Sequence, residues 1–179
     1  MGWEIKPVTT ANWADLEALF RARGGPKNCW CMVWRTLPNG RRPKDKGEKE
    51  AGLREIVHLK TPVGLLAYAE GQPIAWCSVG PRETFRSLGG VVGLEKVWSI
   101  TCFFVLRAWR GQGVQKRLLE AAIHWARENG AYYVEAYPVA PDSPSYRFMG
   151  FEPTFVDQGF TPQHKAGSRR TVMLKKLVY

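Results

Sequence analysis

Apolar residues recur at helical spacing in three stretches of the chain. The pattern is strongest over 113–129, where steps of three and four residues end at Gly130, a residue suited to a left-handed helix cap. A second helix is predicted after Asn12, whose side chain can cap it, and a third runs from the polar loop 37–47 to about Lys60. The residues expected on the buried faces of these helices are Trp13, Leu16, Leu19, Phe20, Leu53, Ile56, Val57, Val114, Leu118, Ala121, Ala122 and Trp125.

Alternating and continuous apolar runs predict strands between these helices. Residues 63–69 and 73–79 flank Glu70-Gly71-Gln72, a turn signal that predicts a hairpin. Further strands are predicted over 3–8, 96–106, 132–137 and 169–177. A short helix is predicted over 143–149, where Gly150 ends it. Because no linker or internal repeat divides the chain, the pattern predicts a single mixed α/β domain over 1–179.

The composition is that of a folded globular protein. Apolar residues make up 45% of the chain and charged residues 23%, and 179 residues suffice for one core. The N-terminus lacks the pattern of a secretory signal, and no apolar run approaches the roughly 18 residues that a membrane span needs. We therefore expect a cytoplasmic protein with no membrane partner, whose four cysteines stay thiols.

A surplus of basic residues indicates a partner that carries several negative charges. The net charge is +10 and the isoelectric point is about 9.7, which fits nucleic acid, a membrane surface or a ligand with several phosphates. A nucleic-acid-binding module is thus the main alternative from another class, supported by eight tryptophans and the basic loop 41–44. No binding motif accompanies these features, and Asp45 and Glu48 dilute the charge of the loop, so nucleic acid is the less favoured partner.

The segment 110–116 has the composition of a phosphate-binding turn. Between a predicted buried strand and the start of an amphipathic helix it reads Arg110-Gly111-Gln112-Gly113-Val114-Gln115-Lys116. Backbone amides at a helix N-terminus attract anions, and glycines let the backbone approach a phosphate closely. The segment lacks the third glycine of a dinucleotide loop and the Gly-Lys-Ser/Thr of a nucleoside triphosphatase, so both of those functions are disfavoured.

Two motifs together resemble those of the GCN5-related N-acetyltransferase (GNAT) family. The segment 110–116 is similar to its Arg/Gln-x-x-Gly-x-Gly/Ala motif, and Tyr146-Arg147-Phe148-Met149-Gly150-Phe151 is similar to its Tyr-x-x-x-Gly-Phe motif. The resemblance implies a mixed, mostly antiparallel sheet flanked by helices, with a splayed strand pair that holds CoA. It also implies transfer of an acetyl group from acetyl-CoA to a primary amine, on a small molecule or a peptide, without a metal. The acceptor and the oligomeric state stay open, a homodimer included.

The resemblance also assigns roles to individual residues. Tyr146 matches the family's general acid, and Glu135 stands where some members place the catalytic glutamate; Glu83 and Glu95 are rivals for the base. The positions implied to bind the cofactor are Phe103, Phe104, Val105, Arg110, Gly111, Gln112, Gly113, Val114, Gln115 and Lys116. Gln115 replaces the family's small residue, which keeps open a third possibility, a CoA-binding protein without transfer activity.

Cysteine and aromatic residues alternate in the segment that follows the first predicted helix. Cys29-Trp30-Cys31 suggests a metal pair, but no histidine is spaced to complete a zinc site. In the family this region lines the acceptor pocket. The alternation itself indicates a half-buried segment, and the position of the segment predicts, as the alternative, that Trp30, Met32 and Trp34 form an apolar or cation-binding wall.

Overall fold

The computed structural model describes residues 2–179, and its seven strands lie in one sheet. They are β1 (Glu4–Pro7), β2 (Gly64–Ala69), β3 (Gln72–Pro81), β4 (Val97–Val105), β5 (Tyr133–Ala136), β6 (Thr161–Ala166) and β7 (Arg170–Lys176). The strand order is β1-β2-β3-β4-β5-β7-β6, and every neighbouring pair is antiparallel except the parallel pair β4–β5. This is the mixed, mostly antiparallel sheet that the family resemblance implies.

Helices cover both faces of the sheet. They are α1 (Trp13–Arg21), α2 (Lys46–His58), α3 (Val114–Glu128) and the short α4 (Glu152–Asp157). Helix α3 buries Leu118 and Ala122 in a core with Cys77 and Val79 of β3. Helices α1 and α2 pack on a second core that contains Trp76 of β3. Because successive side chains of a strand point to opposite faces, β3 contributes to both cores. Within residues 2–179, no helix is long and apolar enough to cross a membrane.

The parallel strands β4 and β5 separate after a short stretch of pairing. The last paired residues are Ile100 and Ala136, whereas β4 continues to Val105. Strand β4 also carries a β-bulge at Thr101, since the partners of Val79 and Ser78 are Ile100 and Cys102. Alternate backbone groups of a strand point away from each neighbour, so the far half of β4 offers unpaired amides and carbonyls on its β5 side. The splayed pair expected from the resemblance is therefore present.

Three local features differ from the sequence-based expectations. Asn12 does stand at the start of α1, but its side chain accepts a hydrogen bond from the Thr9 amide over 2.8 Å and makes no cap bond to α1. The predicted helix 143–149 is wrong apart from one 3-10 turn over Arg147–Met149, because Pro144 disfavours helical geometry before it and Tyr146 has a left-handed φ of 58°. Strand β6 was not predicted, since its first five residues are exposed and show no apolar alternation.

Candidate functional site

A cavity of about 610 Å³ lies where the end of β4 meets the start of α3. It is lined by Phe103, Phe104, Val105, Trp109, Arg110, Gly111, Gly113, Val114, Gln115, Arg147, Phe148 and Phe151. The structure therefore brings together every residue expected to bind the cofactor except Gln112 and Lys116. The unpaired backbone of β4 forms one wall of this first cavity, and the glycine turn forms another.

The glycine turn leaves open space on its cavity side. Gly111 and Gly113 have left-handed φ angles of 73° and 87°, and a Cβ atom built on either would meet no atom within 4 Å. Gly113 is the N-cap of α3 and supplies no side-chain cap, and Arg117 donates its amide to Gly113 O over 3.1 Å. The amides of the first helical turn have no partner within the helix and carry the positive end of its dipole. The turn can therefore accept a phosphate group.

The polar side chains of the glycine turn make different contacts. Arg110 Nε donates to Val105 O over 2.9 Å, which ties the turn to the end of β4. Gln112 Nε2 donates to Ala108 O over 2.8 Å and stays outside the cavity, and Lys116 is exposed beside it. Gln115 does line the cavity and lies near Gly150, where a Cβ would stand 3.3 Å from its Nε2. Gln115 thus shapes one side of the space beside the turn.

Tyr146 belongs to an aromatic group next to the first cavity. Its ring stacks on Trp34, with centroids 6.2 Å apart and an interplanar angle of 30°, and lies 6.3 Å from the ring of Phe148, which lines that cavity. The guanidinium carbon of Arg170 lies 4.7 Å from the centroid of the Trp34 ring and 5.6 Å from that of the Tyr146 ring. Tyr146 is 39% exposed and its hydroxyl makes no hydrogen bond within residues 2–179. The hydroxyl is therefore free to meet a ligand.

Glu135 lies at the centre of a buried polar network. Arg82 Nε donates to its Oε1 over 2.8 Å, and Arg82 Nη2 donates to its Oε2 over 2.6 Å. Ser99 Oγ donates to Oε1 over 3.2 Å, and the Tyr137 hydroxyl donates to the same oxygen. Burial raises the pKa of Tyr137, and the negative charge of Glu135 raises it further. Tyr137 therefore remains a phenol and keeps its donor proton.

A second cavity of about 320 Å³ opens above this network. Its walls include Glu135, Tyr137 and Ser99, the charged residues Arg82, Glu83 and Arg86, and the apolar residues Phe85, Leu88, Val91 and Val92. The loop after β3 packs so closely on the network that a Cβ atom at Gly90 would collide with the carboxylate of Glu135. Of the two rival carboxylates, Glu83 lines this cavity and Glu95 is exposed and lines neither one.

The aromatic wall predicted from the segment after α1 is wrong for two of its three residues. Trp30 and Met32 are each 2% exposed and belong to the core beneath α1, where Trp30 packs on Phe20 with ring centroids 5.4 Å apart. Of these three residues, only Trp34 lies next to the first cavity, where it stacks on Tyr146. The adjacent Arg35 is buried and donates to Val63 O over 2.9 Å and to Thr84 Oγ1 over 3.2 Å, which anchors the segment. Burial lowers the pKa of Arg35 to about 10.

Cys31 is a core residue of the same segment. Its Sγ accepts a hydrogen bond from Trp76 Nε1 over 3.1 Å and lies 3.4 Å from Cys102 Sγ. The contact with Cys102 is the largest cause that raises the pKa of Cys31. All four cysteines are free thiols.

Several functional side chains have no signal in the sequence. Arg82 and Glu135 are 53 positions apart, and nothing local marks either as the partner of the other. Arg170 follows Arg169 at the end of the β6–β7 turn, and only the fold places it over Trp34. Charge pairs and stacked rings between distant elements depend on how the elements pack, so periodicity and motifs cannot predict them.

Comparison with known proteins places the chain in a family. The model of the acetyltransferase (GNAT) family matches residues 28–151. A comparison with curated protein sequences gives no match. Three similar solved structures share the fold. The ribosomal-protein-alanine N-acetyltransferase from Brucella melitensis is 22% identical, with a TM-score of 0.59 over 97% of this chain and 99% of that one.

The PaiA N-acetyltransferase from Thermoplasma acidophilum, in complex with coenzyme A, is 15% identical, with a TM-score of 0.60 over 99% and 100% of the two chains. The aminoglycoside acetyltransferase AAC(6′)-Ib, also in complex with coenzyme A, is 15% identical, with a TM-score of 0.61 over 98% and 95%. With its family model matched and this fold shared, the chain belongs to the acetyltransferase (GNAT) family.

Proposed function

We propose that the protein transfers an acetyl group from acetyl-CoA to the nitrogen of an amine. The observation that carries the proposal is the first cavity, where the unpaired part of β4 and the open glycine turn meet in about 610 Å³. The turn between Gly111 and Lys116 suits the pyrophosphate, and the backbone from Phe103 to Val105 suits the amides of the pantetheine arm as an added strand would. Structures of similar fold that contain coenzyme A support this assignment.

The reaction needs a nucleophile, a carbonyl carbon and a proton for the leaving group. The neutral amine nitrogen forms a bond to the thioester carbon, the carbon–sulfur bond breaks, and the sulfur leaves as a thiolate that takes up a proton. We assign that proton to the Tyr146 hydroxyl, which has no hydrogen-bond partner within residues 2–179. The ring that carries it adjoins the ring of Phe148, which lines the first cavity. Backbone amides of β4 that β5 leaves unpaired are suited to stabilise the negative oxygen of the intermediate.

We assign the removal of the amine proton to Glu135. Three donors already occupy its Oε1, from Arg82, Ser99 and Tyr137, whereas Oε2 accepts one bond, from Arg82. Oε2 can therefore accept one more hydrogen bond, and because the side chain is fully buried, the proton of the amine would reach it through a relaying water. Glu83 is the alternative base because it lines the same cavity.

The test combines ligand binding with thiol release. At 100 times its Kd, acetyl-CoA should stabilise the fold by about 2.7 kcal/mol, seen as a rise in the melting temperature. A panel of amines incubated with acetyl-CoA should release free thiol when an acceptor is present. If CoA compounds leave the melting curve unchanged and single-stranded DNA raises it, the protein is a nucleic-acid-binding module. Binding without thiol release for every amine would indicate a CoA binder that lacks transfer activity.

A further inference from the structure

The second cavity contains a cationic side chain whose donors are only partly used. Arg82 is occupied by Glu135 and by Val91 O, to which its Nη1 donates over 2.9 Å. Arg86, in contrast, uses Nη1 for Val33 O at 2.8 Å and forms no ion pair with an acid of residues 2–179. Its guanidinium therefore has donors left for a ligand in the cavity that it lines.

The same cavity has an acidic side and an apolar side. Glu83 lies three positions before Arg86 and is exposed, and Glu135 lies at the floor. The apolar side of the cavity is formed by Phe85, Leu88 and Val91. A volume of about 320 Å³ falls at the small end of ligand sites and admits a molecule with few non-hydrogen atoms. One small molecule with opposite charges and an apolar part matches these walls.

The second cavity is connected to the proposed reaction centre through Arg170. Its Nη1 lies 3.4 Å from Leu88 O, in the wall of the second cavity, and its guanidinium covers Tyr146 at 5.6 Å. Tyr146 in turn adjoins Phe148 of the first cavity. A ligand of the second cavity would therefore contact the proposed base directly, and Arg170 alone would separate the wall of that cavity from the proposed acid.

We propose that the acceptor is a small amine that also carries a carboxylate, such as a free amino acid, and that Arg86 binds this carboxylate in the second cavity. The inference rests on the proposed function and names its substrate class. A guanidinium matches a carboxylate with two parallel hydrogen bonds, which a neutral amide cannot reproduce. Arg86 and Arg170 also repel acceptors that carry several positive charges, such as polyamines and lysine-rich peptides.

The experiment compares matched acceptors with matched variants. Each of the twenty amino acids is incubated with acetyl-CoA, and its amide and its decarboxylated amine are assayed in parallel. Release of free thiol is the readout. For the best amino acid, Arg86→Gln should raise KM about 10- to 100-fold with little change in kcat. Glutamine can still supply one of the two hydrogen bonds, and this range is that of the one hydrogen bond to a charged group that is lost. Arg86→Lys should restore part of the loss, and the exposed Arg23→Gln should behave as wild type. KM for the amide should not respond to Arg86→Gln.

A second readout keeps the test independent of turnover. In the presence of saturating CoA, the N-acetylated amino acid should raise the melting temperature of the wild type and of Arg23→Gln but not of Arg86→Gln. The inference fails if the amides and decarboxylated amines react as well as the parent amino acids. It also fails if CoA binds and no amino acid or N-acetylated product either reacts or shifts the melting temperature. Absence of CoA binding and of transfer to any amine would instead overturn the proposed function itself.

Discussion

Arg82 and Glu135 form a two-point ion pair, with Arg82 Nη2 2.6 Å from Glu135 Oε2 and Arg82 Nε 2.8 Å from Oε1. The Glu135 side chain is fully buried, whereas the Arg82 side chain is 28% exposed. The arginine therefore connects the buried carboxylate to the surface of the second cavity. It joins the segment after β3 to β5, across β4.

Arg82→Leu should destabilise the fold strongly. The change leaves a buried carboxylate without its charge partner, and such a loss costs about 3 kcal/mol or more. The free energy of unfolding in urea measures the effect. Arg82→Leu combined with Glu135→Leu should recover most of the loss, because neither charge is then left alone. If the single variant is as stable as the wild type, the pair does not hold the fold.

Tyr137→Phe should cost stability in a way that depends on pH. The folded protein raises the pKa of this phenol above that of the unfolded chain, chiefly by burial. The hydroxyl therefore contributes its full stability, about 1 kcal/mol, below about pH 10, where the unfolded phenol is still protonated. Above that pH the unfolded phenol ionises first, so stability falls and the difference between wild type and variant shrinks.

Urea unfolding of both proteins at pH 8 and near pH 10.8 checks this prediction. Repeating the pair of measurements in a Glu135→Gln background supplies the control, since the difference should then be smaller at pH 8. A difference that stays constant with pH would contradict the raised pKa of Tyr137.

Gly113→Asp should abolish the stabilisation by acetyl-CoA. The aspartate adds a negative charge where a phosphate is expected, and it must also adopt the left-handed φ of 87°. Gly24→Asp is the matched control, because Gly24 also has a left-handed φ, of 79°, and open space around it. Without ligand, both variants should be somewhat less stable than the wild type. Addition of acetyl-CoA should raise the melting temperature of Gly24→Asp but not that of Gly113→Asp. Equal responses of the two variants would place the phosphates elsewhere.

Tyr146→Phe should separate binding from chemistry. Removal of the phenol proton should lower turnover by about 10²- to 10⁴-fold, the usual contribution of a positioned acid, while acetyl-CoA affinity changes little. Tyr133→Phe, at the far end of β5, is the control and should keep full activity. Calorimetric binding and steady-state thiol release measure the two effects. Full activity of Tyr146→Phe would remove this tyrosine from the mechanism.

The sequence alone determined the features that depend on neighbours along the chain. Helix α3 and the hairpin β2–β3 follow from apolar spacing and turn residues, and the two motifs around Gly113 and Gly150 predicted the family. The predicted family, fold and enzyme class are confirmed. The roles assigned to Tyr146 and Glu135, the cytoplasmic location and the single domain over 1–179 stay predictions.

Only the tertiary structure decided which distant residues meet. Trp30 and Trp34 look alike in the sequence, yet one is in the core and the other stacks on Tyr146. The backbone between them is irregular, with left-handed φ angles at Trp30 and Cys31, so no strand or helix periodicity relates the two side chains. Strand β6 pairs with β7 although its own side chains are mostly exposed, since backbone hydrogen bonds need no apolar pattern. The partners of Glu135 likewise come from the residue after β3, from β4 and from the residue after β5, and their meeting point is set by strand order and register rather than by any local pattern.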